Sequence, residues 1–408
     1  MGECDAMMKN RSLILLAVLL SPAHGADFTT YIGNQNPYQV AAIATDSAGN
    51  TYVTGSREIQ SAPPQSSTDV FVTKLDAAGN IVFTTTFGGK DVDYGNAIAV
   101  DAGGNIWVGG TTSSENFPLH DAFQTALGAG DTGSLVELAP DGTVIYSSYF
   151  GGLLGSSSVN GVAVDQAGAV YVTGSTDATD FSATVGLPDG MVSANEITPV
   201  SGAFVTKLDS TGQHVIYSAL IVGNLVDCAG GSSCFLMSHY TAGVGIALDS
   251  AGDALVAGNT NTTDLPVTAG GSSGYGAFAA KFAAKIDAAG NRLAYLTYLG
   301  PPDGIVSLGP SETITATAIA ADAAGDAYLT GYTNDPEFPA TPGAYQTTLN
   351  GGSAGCASRL VPHQAESFGR HQLGHLSGRK WIRSVQFDQR GQRRRRMAHR
   401  KQCRWVSD

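Results

Sequence analysis

The chain has 408 residues, of which 43% are hydrophobic and 14% charged, and it contains 52 glycines. This composition excludes a disordered chain, and the glycines lack the regular period of collagen. They instead mark turns between many short strands, which favours an all-β fold. Residues 26–354 carry 7 basic and 30 acidic side chains, and such an acidic segment argues against nucleic acid as a partner.

The N-terminus has the features of a secretory signal peptide. Lys9 and Arg11 precede an apolar run from Ser12 to Leu20, and the small-residue segment at 23–26 supplies a cleavage site. We therefore expect residues 1–25 to be removed and the protein to be exported, to the medium, the cell surface or the periplasm. The apolar run is too short to span a bilayer and no later stretch is long enough, so the sequence predicts no membrane span.

Two of the five cysteines predict a disulfide. Cys4 lies in the leader, and Cys356 and Cys403 lie in the basic C-terminal region, which leaves Cys228 and Cys234 close together in the body of the chain. In an exported protein such a pair is expected to be oxidised, and two free thiols are the alternative. The bridge would shape one loop without holding the whole domain together.

A two-part motif recurs along the chain. Copies of its first part, I-A-T-D-S-A-G-N-T-Y-V-T-G, begin at Ile43, Ile98, Val162, Ile246 and Ile319. Copies of its second part, F-V-T-K-L-D-A-A-G-N-I-V-F-T-T-T-F-G-G, begin at Phe71, Leu135, Phe204 and Phe278. Each part predicts two strands joined by a turn, because segments rich in Val, Ile, Tyr, Phe and Thr flank a D-x-x-G turn signal. Every complete repeat therefore predicts four antiparallel strands.

Four strands repeated every 55 to 84 residues predict the blades of a β-propeller. A sandwich is the alternative, but it does not require the same two motifs in the same order. The D-x-x-G-N and Y-V-T-G motifs, with A-F-V-T-K-L-D at 203–209 and Y-S-S-Y-F-G-G at 146–152, resemble the bacterial beta-propeller repeat family, of SBBP type and similar in style to NHL-repeat propellers. The resemblance covers roughly residues 27–353. It implies a propeller and export, and it implies no assigned activity.

The repeats predict an all-β β-propeller of four-stranded antiparallel blades, truncated to four full blades and part of a fifth. The predicted segments are a signal peptide (1–25), a lone N-terminal strand (26–42), blade 1 (43–96), blade 2 (97–159), blade 3 (160–243), blade 4 (244–316), a partial blade 5 (317–353) and a basic tail (354–408). The lone strand includes residues 28–33, and we expect it to complete the last blade.

The basic tail departs from the repeat pattern. Residues 355–408 carry 13 basic and 3 acidic side chains and show no strand periodicity. Codons compatible with Arg396–Arg400 permit A-W-L-T-G in the plus-one frame, and those for His375–Gly378 permit T-Y-L-G, both of which are motifs of the repeat. We therefore interpret the tail as a frameshifted, disordered segment, the alternative being a genuine basic tail for anionic surfaces.

Resequencing of the gene across codons 354–363 tests this interpretation. We expect a single-base insertion or deletion there, after which the restored frame continues into further blade motifs. A stop codon soon afterwards in the plus-one frame would contradict the frameshift and leave the basic tail as the natural terminus.

The chemistry-bearing residues of the sequence form no catalytic constellation. The turn aspartates lack the density of calcium loops and are explained by turn capping. Asp91 and Asp93 are weak candidates for a cation or sugar contact, with solvated loop charges as the alternative. The glycine pattern at 128–133 lacks the following helix of a dinucleotide site, and the histidines have no partnered nucleophile motif. The sequence therefore predicts no catalytic residue and no cofactor.

The loops indicate where a partner binds. In a four-stranded blade the first-to-second and third-to-fourth turns share one face, and the longer connections share the other. The long variable loops cover residues 111–132, 175–202, 224–242 and 301–313. We therefore predict an exported, non-enzymatic binding or scaffold module that contacts a protein or polysaccharide through this face. The alternatives are an extracellular hydrolase or lyase with carboxylates in the central channel, and a structural cell-surface repeat protein.

Overall fold

The computed structural model describes the body of the chain. The described residues are 30–33, 36–59, 67–182, 201–223, 240–272, 280–299, 314–322 and 324–333, with 340, 341, 344, 346, 359, 360 and 363–365. All of them belong to the first of two units, Met1–Phe368; the second unit, Gly369–Asp408, contains none of them.

The first two repeats each form a four-stranded antiparallel sheet in chain order. Blade 1 consists of β1 (Tyr38–Thr45), β2 (Thr51–Ile59), β3 (Ser67–Leu75) and β4 (Ile81–Phe87). Blade 2 consists of β5 (Asp93–Val100), β6 (Ile106–Thr112), β7 (Thr132–Leu138) and β8 (Val144–Phe150).

The later repeats follow the same plan. Blade 3 consists of β9 (Ser157–Val164), β10 (Val170–Thr176), β11 (Gly202–Leu208) and β12 (Val215–Ile221). Blade 4 consists of β13 (Thr241–Leu248), β14 (Ala254–Thr260), β15 (Ala280–Ile286) and β16 (Leu293–Leu299). The fifth sheet pairs β17 (Ile314–Ala321) with β18 (Ala327–Thr333), and β18 also pairs with the short β19 (Arg359–Leu360) and β20 (His363–Ala365).

Consecutive blades pack through their first strands. β1 contacts β5, β5 contacts β9, β9 contacts β13 and β13 contacts β17, so the first strands form the inner layer and the fourth strands the outer layer. The described residues contain no helix. The predicted fold class is therefore confirmed: the chain is an all-β array of four-stranded propeller blades, with four full blades and part of a fifth. Among the described residues the array does not close into a ring.

Each interface between blades is an apolar core built from alternate residues of facing sheets. Between blades 1 and 2, for example, Tyr52 and Val72 are buried together with Ile98 and Val108. Strands with apolar residues on both faces suit this arrangement, because one face packs on the preceding blade and the other on the next. Side chains as large as Trp107 are thereby fully buried.

The repeated aspartate caps the turn between the first and second strands. In blade 3, Oδ1 of Asp165 accepts hydrogen bonds from the main-chain N–H groups of Ala167 and Ala169, each at 2.9 Å. Gly168 takes a φ of +86° in the same turn, a conformation that favours glycine. The prediction of turn capping is therefore confirmed, and the aspartate has its structural partners within its own turn.

The last glycine of the Y-V-T-G motif is required by close packing of the first two strands. A Cβ built on Gly174 would lie 1.8 Å from the carbonyl oxygen of Ser158 on the first strand, and similar clashes occur at Gly55 and Gly110. At this point the first strand of each blade carries a bulge that moves its backbone toward the second strand.

Two sequence expectations need correction. The second motif of blade 4 begins at Phe282 and not at Phe278, because Phe282 pairs with Gly258 as Phe204 pairs with Gly174. The sequence here is F-A-A-K-F-A-A-K. Its second F-A-A-K stands at the same distance from the following turn as F-V-T-K does in other blades, and this distance decides the strand register. Secondly, the lone N-terminal strand was predicted at 26–42, but its described residues 30–33 are not a strand and residues 38–42 belong to β1 of blade 1. Ile32 packs on the apolar outer side of blade 1 instead.

Substitution of Gly174 by alanine tests the close approach of the strands. We expect G174A to lower the free energy of unfolding by about 3 kcal/mol, because the new methyl group overlaps main-chain atoms that cannot move aside. The matched control is G103A, which introduces the alanine found at Ala48 and Ala251 in the same turn position. Urea unfolding of both variants measures the difference, and equal stabilities would contradict the packing argument.

Candidate functional site

The two ends of the blades differ in structure. Tight turns join first to second and third to fourth strands, and we refer to their end of the array as the turn face. The opposite end, the loop face, carries the connections between second and third strands and between successive blades. Contacts between blades confirm the shared faces: Tyr171 donates to the carbonyl of Gly252, from one turn to the next, and Lys90 donates its N–H to Asn116, from one loop to another.

Side chains hold the loops of the loop face in place. In the connection from blade 2 to blade 3, the N–H groups of Leu153 and Leu154 donate to the carboxylate of Asp180 at 3.0 and 2.8 Å. Burial raises the pKa of Asp180, but these N–H donors outweigh it and lower the pKa. The N–H of Ser156 donates to Asp177 in the same way. The loop is therefore held by two carboxylates from the following blade.

The held loop displays apolar side chains. Leu153 is 44% exposed and Leu154 is 64% exposed. Exposed leucines on a loop with fixed backbone form a rigid apolar contact surface, which suits binding because little conformational entropy is lost on association. The other long loops predicted for this face include residues 183–200, 224–239 and 301–313, which lie outside the described residues. The predicted disulfide partners Cys228 and Cys234 are among them.

The structure places the two predicted acidic candidates on the loop face in different roles. Asp93 begins β5 and is fully buried. Its Oδ2 accepts from the N–H of Gly89 at 2.6 Å and from the hydroxyl of Ser114 at 3.0 Å. Asp91 donates its main-chain N–H to Ser114. Nowhere in the described part of the chain do three or more His, Cys, Asp or Glu side chains converge as a metal site.

Asp93 belongs to an acidic pair that the sequence did not indicate. A Cβ on Gly88 would lie 2.4 Å from Oδ1 of Asp69 and 2.7 Å from Oδ2 of Asp93, so the two carboxylates face each other across this glycine. Burial and the neighbouring Asp93 raise the pKa of Asp69, and Arg57 opposes the rise. Burial also raises the pKa of Asp93. Hydrogen bonds to its carboxylate, including one with Thr112, lower the pKa but do not cancel the effect of burial. A buried pair of this kind holds a proton more readily than exposed carboxylates.

A second feature, on the turn face, is a repeated lysine of the third strand. Lys74 donates to the carbonyl of Pro140 at 3.3 Å, in a turn of the next blade. Lys207 donates to the equivalent carbonyl of Ala288 at 3.2 Å, and its ammonium lies 3.7 Å from the turn aspartate of its own blade. Lys285 pairs with the equivalent aspartate at 2.6 Å. The lysine therefore neutralises a turn aspartate in blades 3 and 4 and links neighbouring turns in blades 1 and 3.

Blade 2 has Glu137 at the lysine position. Glu137 is 9% exposed and lines a groove of about 690 Å³ between blades 2 and 3. The groove is lined by Asp121, Ala122, Glu137, Ile145, Tyr146, Ser210, Thr211 and Gln213. Burial, followed by the charge of Asp101, raises the pKa of Glu137 to about 7. A buried carboxyl that titrates near neutral pH in a groove is a candidate functional group.

The walls of this groove are held together by contacts between the blades. Residues 120–124 run along the outer edge of β8, where His120 bridges to Ser147. The amide of Gln213 donates to the carbonyl of Asp121, and the hydroxyl of Tyr146 donates to the carbonyl of Gly212 at 3.0 Å. The loop of blade 2 and the turn of blade 3 therefore form one continuous wall.

Comparison with known sequences identifies the repeat. The sequence pattern of the beta-propeller repeat (SBBP) matches residues 27–56, 145–182 and 294–339. The chain carries beta-propeller repeats. The resemblance seen in the sequence is thereby confirmed, and the described residues of the matched segments include β1, most of β8, β9 and β10, most of β16, and β17 and β18. No curated protein matches the chain.

Solved structures similar to this propeller include enzymes of several kinds. An ulvan lyase of polysaccharide lyase family PL25 aligns with a TM-score of 0.37 and 10% identity over 75% of this chain and 68% of that one. A GH43_1 enzyme from Xanthomonas citri complexed with xylotriose gives 0.34 and 13% over 74% and 83%. A gluconolactonase from Xanthomonas campestris gives 0.31 and 16% over 72% and 69%. Similarity at this level indicates no shared activity.

The ionisation of Glu137 makes stability depend on pH. Because the pKa of Glu137 is raised from 4.5 to about 7 in the folded chain, the unfolded chain releases this proton first. The contribution of Glu137 to the free energy of unfolding therefore falls as pH rises from about 4.5 to about 7, by on the order of 1–3 kcal/mol.

The variant E137Q has no proton to lose at this position, so we expect it to lack this decrease. Urea unfolding of both proteins at about pH 5 and about pH 8 isolates the contribution, since all other carboxyls are common to both. Parallel pH profiles of the two proteins would show that Glu137 titrates at its ordinary value.

Proposed function

We propose that the chain is an exported, non-enzymatic binding module that contacts a protein or polysaccharide partner through its loop face. The observation that carries this proposal is the loop at Leu153 and Leu154, whose backbone is fixed by Asp180 while both leucine side chains are exposed. Interaction surfaces are commonly built from loops that a rigid scaffold positions. The apolar run at residues 12–20 supports export.

The inner strands supply a further argument for binding over chemistry in a central channel. The five described first strands, β1, β5, β9, β13 and β17, carry one carboxylate among them, Asp93, and it is buried. Polar residues of these strands link the blades instead: Asn96 donates to the carbonyl of Val159, and Asn160 donates to that of Gly243. A channel hydrolase or lyase needs titratable groups that reach its substrate. In the described inner strands these asparagine side chains connect neighbouring blades by hydrogen bonds.

Within the part of the chain that the structure describes, no helix has the length and apolar character needed to cross a membrane.

The double variant L153S/L154S tests the loop face. Protein and glycan arrays probed with the unaltered chain identify its ligands, and we expect the double variant to bind those ligands at least about tenfold more weakly, because two buried leucine contacts are lost. The loop itself should remain folded, since its hydrogen bonds to Asp180 involve main-chain atoms.

The matched control is I81S/V82S, which alters two leucine-sized exposed residues near the turn face of blade 1. This control should retain full binding. Equal binding by all three proteins, or equal losses in both variants, would contradict a role for the loop face. Thermal unfolding of each variant separates loss of contact from loss of fold.

A further inference from the structure

The repeated lysine provides an internal comparison for the groove of blade 2. In blades 1, 3 and 4 the ammonium group of Lys74, Lys207 or Lys285 is surrounded by oxygen acceptors of the turns. Lys74 and Lys207 bond a carbonyl in the next turn, and Lys207 and Lys285 pair with the turn aspartate of their own blade. One positive charge in each of these three blades therefore meets oxygen acceptors of the turns.

Blade 2 has the same turn positions as the other blades but carries a glutamate in place of the lysine. Asp101 is its turn aspartate, and Ser210 occupies the place in the next turn that Pro140 and Ala288 occupy elsewhere. Glu137 cannot donate to either of them when it is ionised. No ion pair or hydrogen bond joins its side chain to a described residue, and the charge of Asp101 works against its ionisation. Asp101 is bonded within its own turn by Asn105, so this position has a buried carboxyl where the other blades have an ammonium group.

The aromatic residue of blade 2 adds to this difference. In blades 1 and 3 the hydroxyls of Tyr52 and Tyr171 donate to the turn aspartate. Trp107 stands at the same position in blade 2, and its ring packs against Tyr146 with ring centroids 5.6 Å apart. Asp101 therefore has neither the lysine that pairs with Asp165 and Asp249 nor a tyrosine hydroxyl, and the side chain of Asn105 bonds its Oδ2 at 2.9 Å.

We propose that the groove between blades 2 and 3 binds an amino sugar, whose ammonium group takes the position that the lysine ammonium has in the other blades. The carboxylate of Glu137 would receive the charge-assisted hydrogen bond, and Asp101 would strengthen the negative potential behind it. Asp121 and Ala122 of this groove belong to the loop-face connection 111–132, but Leu153 and Leu154 do not line it, and the inference does not rest on the function proposed above.

The size and lining of the groove favour an organic ammonium ligand over a metal ion. A volume of about 690 Å³ is far larger than a metal ion needs and suits a ligand of one or two sugar rings. Metal ions require several oxygen ligands at once, and the two carboxylates that line the groove, Asp121 and Glu137, are not part of a cluster of three or more His, Cys, Asp or Glu side chains among the described residues. The hydroxyls of Ser210 and Thr211 and the amide of Gln213 line the same space, and such groups match the hydroxyls of a sugar. No lysine or arginine lines the groove.

The test measures binding of three small probes to the full chain near neutral pH by calorimetry or ligand-observed NMR. Glucosamine carries both the ammonium and the hydroxyls, glucose has the hydroxyls alone, and butylamine has the ammonium alone. We expect glucosamine to bind at least about tenfold more tightly than either control, since each control lacks one set of contacts.

Two substitutions at Glu137 connect binding to the proposed contact. E137Q keeps the shape and removes the charge, and E137K introduces the residue found in the other blades. Both should lose at least about tenfold in glucosamine affinity, and E137K should unfold at higher temperature than the unaltered chain because it restores the pairing with Asp101. The control E58Q, at an exposed residue of β2, should bind as the unaltered chain does.

Each outcome decides the proposal. Unchanged glucosamine affinity in E137Q, or no glucosamine binding by the unaltered chain, would overturn it. Butylamine binding as tightly as glucosamine would overturn the assignment to a sugar. A failure here leaves the loop-face experiment unaffected, because the Leu153 and Leu154 variants alter a different end of the blade.

Discussion

The burial of two apolar sheet faces is the constraint on which the rest of this structure depends. A four-stranded sheet with apolar residues on both sides cannot be stable alone, and each blade therefore packs against its neighbours. Ile98 shows the effect: it is buried against blade 1, as the equivalent Val162 and Ile246 are buried against the blades before them. Within a blade the bulge of the first strand brings its backbone close to the second strand, so the bulge and the motif glycine occur together.

Because the blades share one fold, residues at equivalent positions can be compared from blade to blade. At the start of the first strand, Ser157 and Thr241 donate to or accept from a threonine of the second strand at 2.8 Å. Asp93 stands at this position in blade 2, where a hydroxyl would meet the needs of the fold. Glu137 likewise replaces a lysine that pairs with a turn aspartate in blades 3 and 4 and bonds a turn carbonyl in blade 1. Both departures place carboxylates where burial opposes their ionisation, and such costs are typical of residues kept for function.

The sequence predicted the blades because their signals are local. Strand composition and the D-x-x-G turn lie within a few residues of each other, and the hydrogen bonds of Asp165 form within its own turn. The choice between Phe278 and Phe282 depends on a finer local signal, the distance to the next turn, because both copies of F-A-A-K fit a strand. The charge reversal at Glu137 could not be interpreted from the sequence in the same way, because Asp101 and Ser210 are placed beside it only by the fold.

The sites formed between blades could not be predicted from the sequence, because their residues come from different blades. Asp69 and Asp93 are distant in the chain, and Gly88 brings them together only when blade 2 packs on blade 1. The groove at Glu137 depends in addition on residues 120–124, which follow the outer edge of β8 and meet the turn of blade 3. In the described part of this chain the unusual buried carboxylates therefore lie between neighbouring blades, at positions where copies of one motif carry different side chains. A comparison of equivalent positions, blade by blade, finds such sites more directly than a search for motifs, because the fold's own requirement is known from the other copies.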